Sequence, residues 1–161
     1  MKGLKRGPLL RALAACVLFA LFGGALVGEG LEGWYEGLEK PWFIVPLGAF
    51  YAVGVLYYVA FAVVLYRILV HIEDRRARGI CLALALVVML SNELWNYLFF
   101  GVRSTRAGFV GIALFLAPLT ALIFALSRFE RVSANLLVPY YLWVLYDLAW
   151  TFELWRLNGG A

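Results

Sequence analysis

Residues 139–158 combine acidic and aromatic side chains in a stretch apolar enough to enter a membrane. Trp143, Asp147 and Trp150 follow the spacing i, i+4, i+7, which places them on one face of a helix. A carboxylate at bilayer depth costs roughly 2.5–3.5 kcal/mol on insertion scales, so Asp147 is expected to face protein, ligand or water rather than lipid. The pattern therefore predicts a ligand site rather than a lipid-facing surface.

Three roles remain open for Asp147. It can contact a ligand, hydrogen-bond another helix in its protonated form, or relay protons. Glu93 is a second acid inside an apolar stretch, and it lies about 100° around its helix from Asn92. We expect Glu93 to pair with a neighbouring helix or a second subunit rather than to line the pocket.

These side chains must be positioned by helices that cross a membrane. The chain of 161 residues is 65% hydrophobic and 15% charged, with a mean hydropathy of +0.87. Soluble domains are nearer half apolar and a quarter charged. Five apolar segments, each near the ~20 residues of a spanning helix, cover residues 9–27, 45–69, 80–100, 109–126 and 136–157. The predicted fold class is all-α, an integral membrane bundle of five transmembrane helices in a single domain, residues 1–161.

The basic residues predict the orientation of these spans. Of the 14 Lys and Arg residues, ten lie on one side: Lys2, Lys5, Arg6, Arg11, Arg67, Arg75, Arg76, Arg78, Arg128 and Arg131. The positive-inside rule then places the N-terminus in the cytoplasm and the C-terminus outside. The net charge of +4 follows from this topology and does not indicate a nucleic-acid partner.

The residues that commonly carry catalysis or metals are scarce. Cys16 and Cys81 fall in apolar spans, where small buried residues are expected rather than a disulfide or a metal pair. With one histidine, His71, no protein-only zinc or iron site is expected. The sequence contains no G-x-S-x-G motif or phosphate-binding glycine loop, and we assign no catalytic residue, no metal ligand and no required cofactor.

Three separated motifs occur along the chain in the order that is typical of one protein family. Residues 28–41 read GEGLEGWYEGLEKP, residues 92–103 read NELWNYLFFGVR, and residues 136–143 read LLVPYYLW before a terminal WRLN. Together they resemble the TspO/MBR family, which is also called the translocator protein, tryptophan-rich sensory protein or peripheral benzodiazepine receptor family. The resemblance runs from about residue 24 to residue 158.

The resemblance implies a five-helix bundle, usually a homodimer, with a pocket that the loop at residues 28–44 covers as a lid. The implied partners are the lipid bilayer and a porphyrin, such as protoporphyrin IX or a haem-like ring, or another hydrophobic small molecule such as a sterol. On this basis the expected ligand-binding residues are Lys40, Trp42, Asn92, Trp95, Phe99, Val110, Leu114, Trp143, Tyr146, Asp147 and Trp150. Lys40 and Arg103 are the nearest candidate partners for propionates.

The sequence departs from the family in two helices. Leu47, Tyr51 and Val53 stand where the family has Trp, Pro and Trp, and the second of those tryptophans is implicated in porphyrin photochemistry. Asp147 replaces a small residue. Phe152 replaces the tyrosine of a proposed sterol pattern, which therefore fails here.

The leading hypothesis is a non-enzymatic membrane receptor or carrier for a porphyrin-like or other flat hydrophobic ligand, with a role in tetrapyrrole sensing or transport. One alternative is an enzyme that degrades porphyrin in light or with oxygen. The other is a proton-coupled transporter that uses Asp147.

Overall fold

The computed structural model describes residues 4–27 and 30–159. Within these ranges there are five long helices and no strand: α1 (Arg6–Val27), α2 (Leu47–His71), α3 (Arg75–Asn96), α4 (Thr105–Phe129) and α5 (Arg131–Leu157). A π-helical turn, Tyr97–Gly101, continues α3, and a second one, Leu31–Tyr35, lies in the loop before α2. The predicted all-α class is confirmed.

The helices have the length and surface of membrane spans. Among the described residues, α1, α2, α4 and α3 with its π-helical turn are each long and apolar enough to cross a membrane. Helix α5 has 27 residues, about 40 Å at 1.5 Å per residue, and its apolar sequence is interrupted by Asp147, Glu153 and Arg156. The outer surface exposes large apolar side chains such as Leu18 and Leu142, which suits lipid contact.

Three helices begin about one turn before the apolar segments that predicted them. Asp74 caps α3 by accepting a 2.6 Å hydrogen bond from the amide of Ala77. Ser104 and Glu130 cap α4 and α5 in the same way. A capping oxygen satisfies a free amide of the first turn, so the helix can begin in polar sequence that hydropathy does not count.

The helices close into one bundle. Helix α1 packs against α2 and α3, α4 packs between α3 and α5, and α5 returns to α2. Buried aliphatic and aromatic side chains fill the half of the bundle that contains the start of α1, among them Phe61, Ile68, Leu122 and Leu137. The other half contains a cavity under the loop that precedes α2.

The end of the bundle opposite the cavity is braced by an ion pair. The guanidinium of Arg67 on α2 donates two hydrogen bonds to Glu130, of 3.1 Å and 2.7 Å. Glu130 also accepts the amide of Ser133 at 2.7 Å. The Arg67 side chain holds the pKa of Glu130 at about 2, against an ordinary value of 4.5. One carboxylate thus joins α2 to the start of α5.

The loop before α2 is attached to the rest of the bundle at both ends. Gly30 lies so close to the carbonyl of Phe100 that a Cβ would overlap it. The side chain of Asn158 accepts the amide of Glu39 at 3.0 Å and donates to its carbonyl at 2.9 Å. The hydroxyl of Tyr146 accepts the amide of Val45 at 3.0 Å. We call residues 30–46 the lid. Lys2, Gly28 and Glu29, which the orientation count and the first motif used, lie outside the described residues.

Candidate functional site

A cavity of about 230 Å³ lies between α2, α3, α5 and the lid. Its walls are mostly aromatic, with a few amides and hydroxyls and one acid. The lining residues are Val27, Tyr35, Leu47, Phe50, Tyr51, Val53, Gly54, Tyr57, Tyr58, Asn92, Trp95, Asn96, Phe100, Tyr140, Trp143, Asp147 and Trp150.

The aromatic rings meet edge to face around the cavity. Phe50 of α2 contacts Trp143 and Trp150 of α5, with ring centroids 5.5 Å and 5.4 Å apart. Trp95 of α3 stacks on Phe99 at 5.5 Å with nearly parallel rings, and its indole donates a 2.9 Å hydrogen bond to the carbonyl of Gly108. Such contacts fix the ring orientations, so the aromatic wall is largely preformed.

The lid contributes an aromatic ring to the cavity. Tyr35 contacts the rings of Phe99 and Trp150 at 6.0 Å and 6.5 Å. Burial raises the pKa of Tyr35 to about 12, with smaller contributions from Tyr146 and Asp147. The Tyr35 phenol is therefore neutral at physiological pH.

Asp147 is a buried acid in the cavity wall, only 7% exposed. Its Oδ1 accepts a 2.7 Å hydrogen bond from the indole of Trp150, one turn further along α5. Its backbone carbonyl accepts the hydroxyl of Thr151 at 2.6 Å. The indole bond orients the carboxyl group along the face of α5 that the sequence predicted.

A second acid lies directly behind the polar part of the wall. Glu93 is fully buried and accepts hydrogen bonds from the hydroxyl of Tyr58 at 2.6 Å and from the amides of Asn92 and Asn96 at 3.1 Å and 2.9 Å. The Tyr140 hydroxyl donates to Oδ1 of Asn92 at 3.0 Å. Glu93 therefore pairs within the chain, and its three donors are themselves residues of the cavity wall.

The hydroxyl of Tyr57 has no hydrogen-bond partner within the part of the chain that the structure describes. Tyr57 is 4% exposed, and it lines the cavity. Buried hydroxyls are nearly always paired, and an unpaired one costs about 1–3 kcal/mol. A bound molecule is one way to complete this hydrogen bond.

Comparison with known proteins assigns the architecture. The TspO/MBR family model matches residues 12–156. The chain belongs to the TspO/MBR family. It is similar to the tryptophan-rich protein TspO of Archaeoglobus fulgidus, with 29% identity over 93% of this chain and 96% of the relative.

Two further relatives carry other names. Protein CrtK of Rhodobacter capsulatus is 27% identical over 89% of this chain and 94% of its own length. The human translocator protein is 28% identical over 83% of this chain and 79% of its own length. This TspO/MBR member thus has relatives in archaea, bacteria and animals.

The structure brings five of the expected site residues to the cavity of this TspO/MBR member: Asn92, Trp95, Trp143, Asp147 and Trp150. Two others lie behind the wall. Phe99 is fully buried under Trp95, and Tyr146 holds the lid through Val45.

Four expected residues lie away from the cavity. Val110 and Leu114 face outward on α4 and are 46% and 69% exposed. Trp42 is 95% exposed, as suits a ring at the membrane interface. Lys40 lies over the ring of Tyr35, 4.9 Å from its centroid, and donates to lid carbonyls. Lys40 and Arg103, the candidate propionate partners, are not among the lining residues.

The sequence prediction missed the contribution of α2. Phe50, Gly54 and Tyr57 line the cavity at i, i+4 and i+7, which is the spacing of one helical face. The sequence signal for this face was weak because α2 is apolar on every side. Only the combination of large aromatic rings with a glycine distinguishes the face that lines the cavity.

Proposed function

We propose that this TspO/MBR member is a non-enzymatic membrane receptor or carrier that binds a flat, largely apolar ligand, porphyrin-like or of another ring type, in the cavity under the lid, with a role in tetrapyrrole sensing or transport. The observation that carries the proposal is the convergence of Trp95, Trp143 and Trp150 on one cavity. Ligand sites are typically apolar, aromatic and largely preformed, with a few polar groups.

The volume of the cavity bears on how a ligand enters. About 230 Å³ is slightly below the ~300–1,000 Å³ of common ligand sites. A two- or three-ring aromatic molecule fits with small side-chain movements. A porphyrin macrocycle requires the lid to move, and the lid is attached by few hydrogen bonds, those of Asn158 and Tyr146 among them.

The family departure in α2 favours binding over photochemistry. Val53 lines the cavity at the position where the family has a tryptophan implicated in porphyrin photochemistry. Valine has no aromatic ring to exchange electrons with a bound porphyrin. A receptor or carrier is therefore the better-supported function.

The proposal is tested by titrating the purified protein in neutral detergent with protoporphyrin IX and with the smaller neutral ring anthracene methanol. Binding is followed by tryptophan quenching and by equilibrium dialysis. We expect saturable binding of at least one ring and a loss of about tenfold or more in Trp143→Ala, because a buried aromatic contact contributes a few kcal/mol. Trp155→Ala is the control, since Trp155 stacks on Phe109 outside the cavity. If wild type binds neither of these rings saturably, nor a charged tricyclic ring of similar shape, the proposal fails.

Orientation and assembly complete the proposal. We place the N-terminus in the cytoplasm, on the basic-residue count, and the lid on the outer side of the membrane. The active form is a homodimer, on the family resemblance. Labelling of single cysteines placed at residues 37 and 73 in intact cells tests the orientation, since only the first should react with an impermeant reagent.

A further inference from the structure

We infer that the cavity selects flat aromatic ligands that carry a positive charge, such as a protonated aromatic amine, and that Asp147 is the partner of that charge. This inference rests on the proposed function and specifies its ligand class.

The charges of the cavity wall are one-sided. Among the described lining residues, Asp147 is the one with a carboxyl group, and none is Lys, Arg or His. Lys40, a candidate propionate partner, lies in the lid over the ring of Tyr35 and is hydrogen-bonded to lid carbonyls. A ligand carboxylate placed next to Asp147 would therefore have no basic partner, which is strongly unfavourable at low dielectric, so a porphyrin could bind only with its propionates directed out of the cavity.

The hydrogen bonds of the cavity wall also favour a ligand with N–H donors. Hydroxyl and amide donors of Tyr58, Asn92 and Asn96 are directed to Glu93, and the Tyr140 hydroxyl is directed to Asn92. The indoles of Trp95 and Trp150 donate to protein acceptors as well. Many donors of the wall are thus already bonded to protein acceptors, so the wall is better suited to receive N–H donors from a ligand than to supply donors to it.

The aromatic side chains add to the preference for a cation. Indole and phenol rings present a negative face that attracts an organic cation, and the attraction strengthens when water is excluded. Pairing with a cation also offsets the cost of burying the Asp147 carboxylate. Asp147 and the surrounding rings therefore favour the same ligand charge.

Tyr57 provides an independent sign that a ligand belongs in this cavity. Its hydroxyl is buried and unpaired in the described structure. It can donate to a lone pair on the ligand, such as a ring nitrogen or a carbonyl. The expected ligand is a flat aromatic ring with a protonated amine near Asp147 and a neutral acceptor near Tyr57.

Three tricyclic probes of similar shape test the charge preference: aminoacridine as the cation, anthracene methanol as the neutral ring and anthracene carboxylate as the anion. Affinities are measured in neutral detergent by equilibrium dialysis with wild type, Asp147→Asn and Glu153→Gln. In Asp147→Asn, the side-chain amide oxygen can still accept the hydrogen bond from the Trp150 indole, but the negative charge is removed. Glu153 lies on the same helix outside the cavity.

We expect wild type and Glu153→Gln to bind the cation about tenfold or more tightly than the anion, as a charge-assisted hydrogen bond implies. In Asp147→Asn, cation affinity should fall about tenfold relative to the affinity for the neutral ring, and thermal unfolding followed by circular dichroism shows whether the variant is folded. Equal binding of all three probes to wild type, or a preference that survives in Asp147→Asn, overturns the inference but leaves the proposed function intact. Binding of none of the probes, with none of protoporphyrin, overturns both.

Discussion

Glu93 on α3 occupies space that the missing side chain of Gly23 leaves open on α1. A Cβ at Gly23 would overlap Oε2 of Glu93, whereas a Cβ at Gly24 would meet nothing within 4 Å. The close approach of α1 therefore depends on one glycine of the pair, and it seals the buried carboxyl group behind the cavity wall.

The first prediction compares these two glycines. Gly23→Ala should lower the free energy of unfolding in detergent by about 1–3 kcal/mol, because the added methyl group overpacks against Glu93. Gly24→Ala should leave stability unchanged or raise it by up to about 1 kcal/mol, since alanine favours helix and space is available. Thermal unfolding followed by circular dichroism measures both. Equal losses in the two variants would contradict the contact.

The second prediction compares adjacent tyrosines of α2. Tyr57→Phe removes an unpaired buried hydroxyl, so the free protein should be as stable as wild type or up to about 1 kcal/mol more stable. Tyr58→Phe removes the 2.6 Å hydrogen bond to Glu93 and should cost about 1–3 kcal/mol. Unfolding of the ligand-free proteins in the same detergent distinguishes them. A loss in Tyr57→Phe as large as that in Tyr58→Phe would show that the Tyr57 hydroxyl is paired.

The third prediction concerns the acid dependence of stability. The pKa of Glu130 is about 2 in the folded chain, because Arg67 pairs with it, against an ordinary 4.5. A depressed folded pKa adds stability above the unfolded pKa, and this contribution is lost as pH falls from about 4.5 toward 2. Glu130→Gln should therefore be less stable than wild type at neutral pH, by about 1–3 kcal/mol since Arg67 is partly exposed.

The difference between Glu130→Gln and wild type should shrink as pH falls toward 2. The control is Glu153→Gln. Glu153 pairs with the exposed side chain of Arg156, so this substitution should change stability by less than about 1 kcal/mol. Unfolding measured at several pH values gives the comparison. A difference between Glu130→Gln and wild type that does not depend on pH would rule out Glu130 as the titrating group.

The fourth prediction concerns the lid. Asn158→Ala removes both hydrogen bonds to the backbone of Glu39. Hydrogen exchange of lid amides around Glu39 should accelerate about tenfold, since two such bonds contribute about 1–3 kcal/mol to the closed state. Exchange in α2 and α4 should not change. If exchange across the whole bundle accelerates equally, Asn158 stabilises the fold rather than the lid.

The sequence predicted the helices better than it predicted their ends. Hydropathy placed an apolar segment in each of the five described helices, but only four of these helices are apolar enough to count as membrane spans, since Asp147, Glu153 and Arg156 interrupt α5. It missed the first turns of α3, α4 and α5, since Asp74, Ser104 and Glu130 act through capping hydrogen bonds that depend on backbone geometry.

The site residues that share one helix could be predicted from the sequence, whereas those that depend on packing between helices could not. Trp143, Asp147 and Trp150 share a face of one helix, so periodicity alone placed them together. The prediction that Val110 and Leu114 line the site required knowing how α4 is oriented toward the cavity. The sequence of a helix with apolar residues on most of its surface does not give this orientation. Their outward position follows from the packing of α4 between α3 and α5 on the far side of the cavity.

The π-helical turn at the end of α3 has a consequence for how chain length can vary. The amide of Val102 bonds to the carbonyl of Tyr97, five residues back, so this turn accommodates one residue more than an α-helical turn does. Deleting one residue here would restore a regular α-helical turn, and the helix before it and the chain after it would keep nearly the same relative orientation. The rings of Phe99 and Phe100 could then not both keep their places, so a one-residue gap at this turn should preserve the bundle while changing the aromatic packing at the cavity.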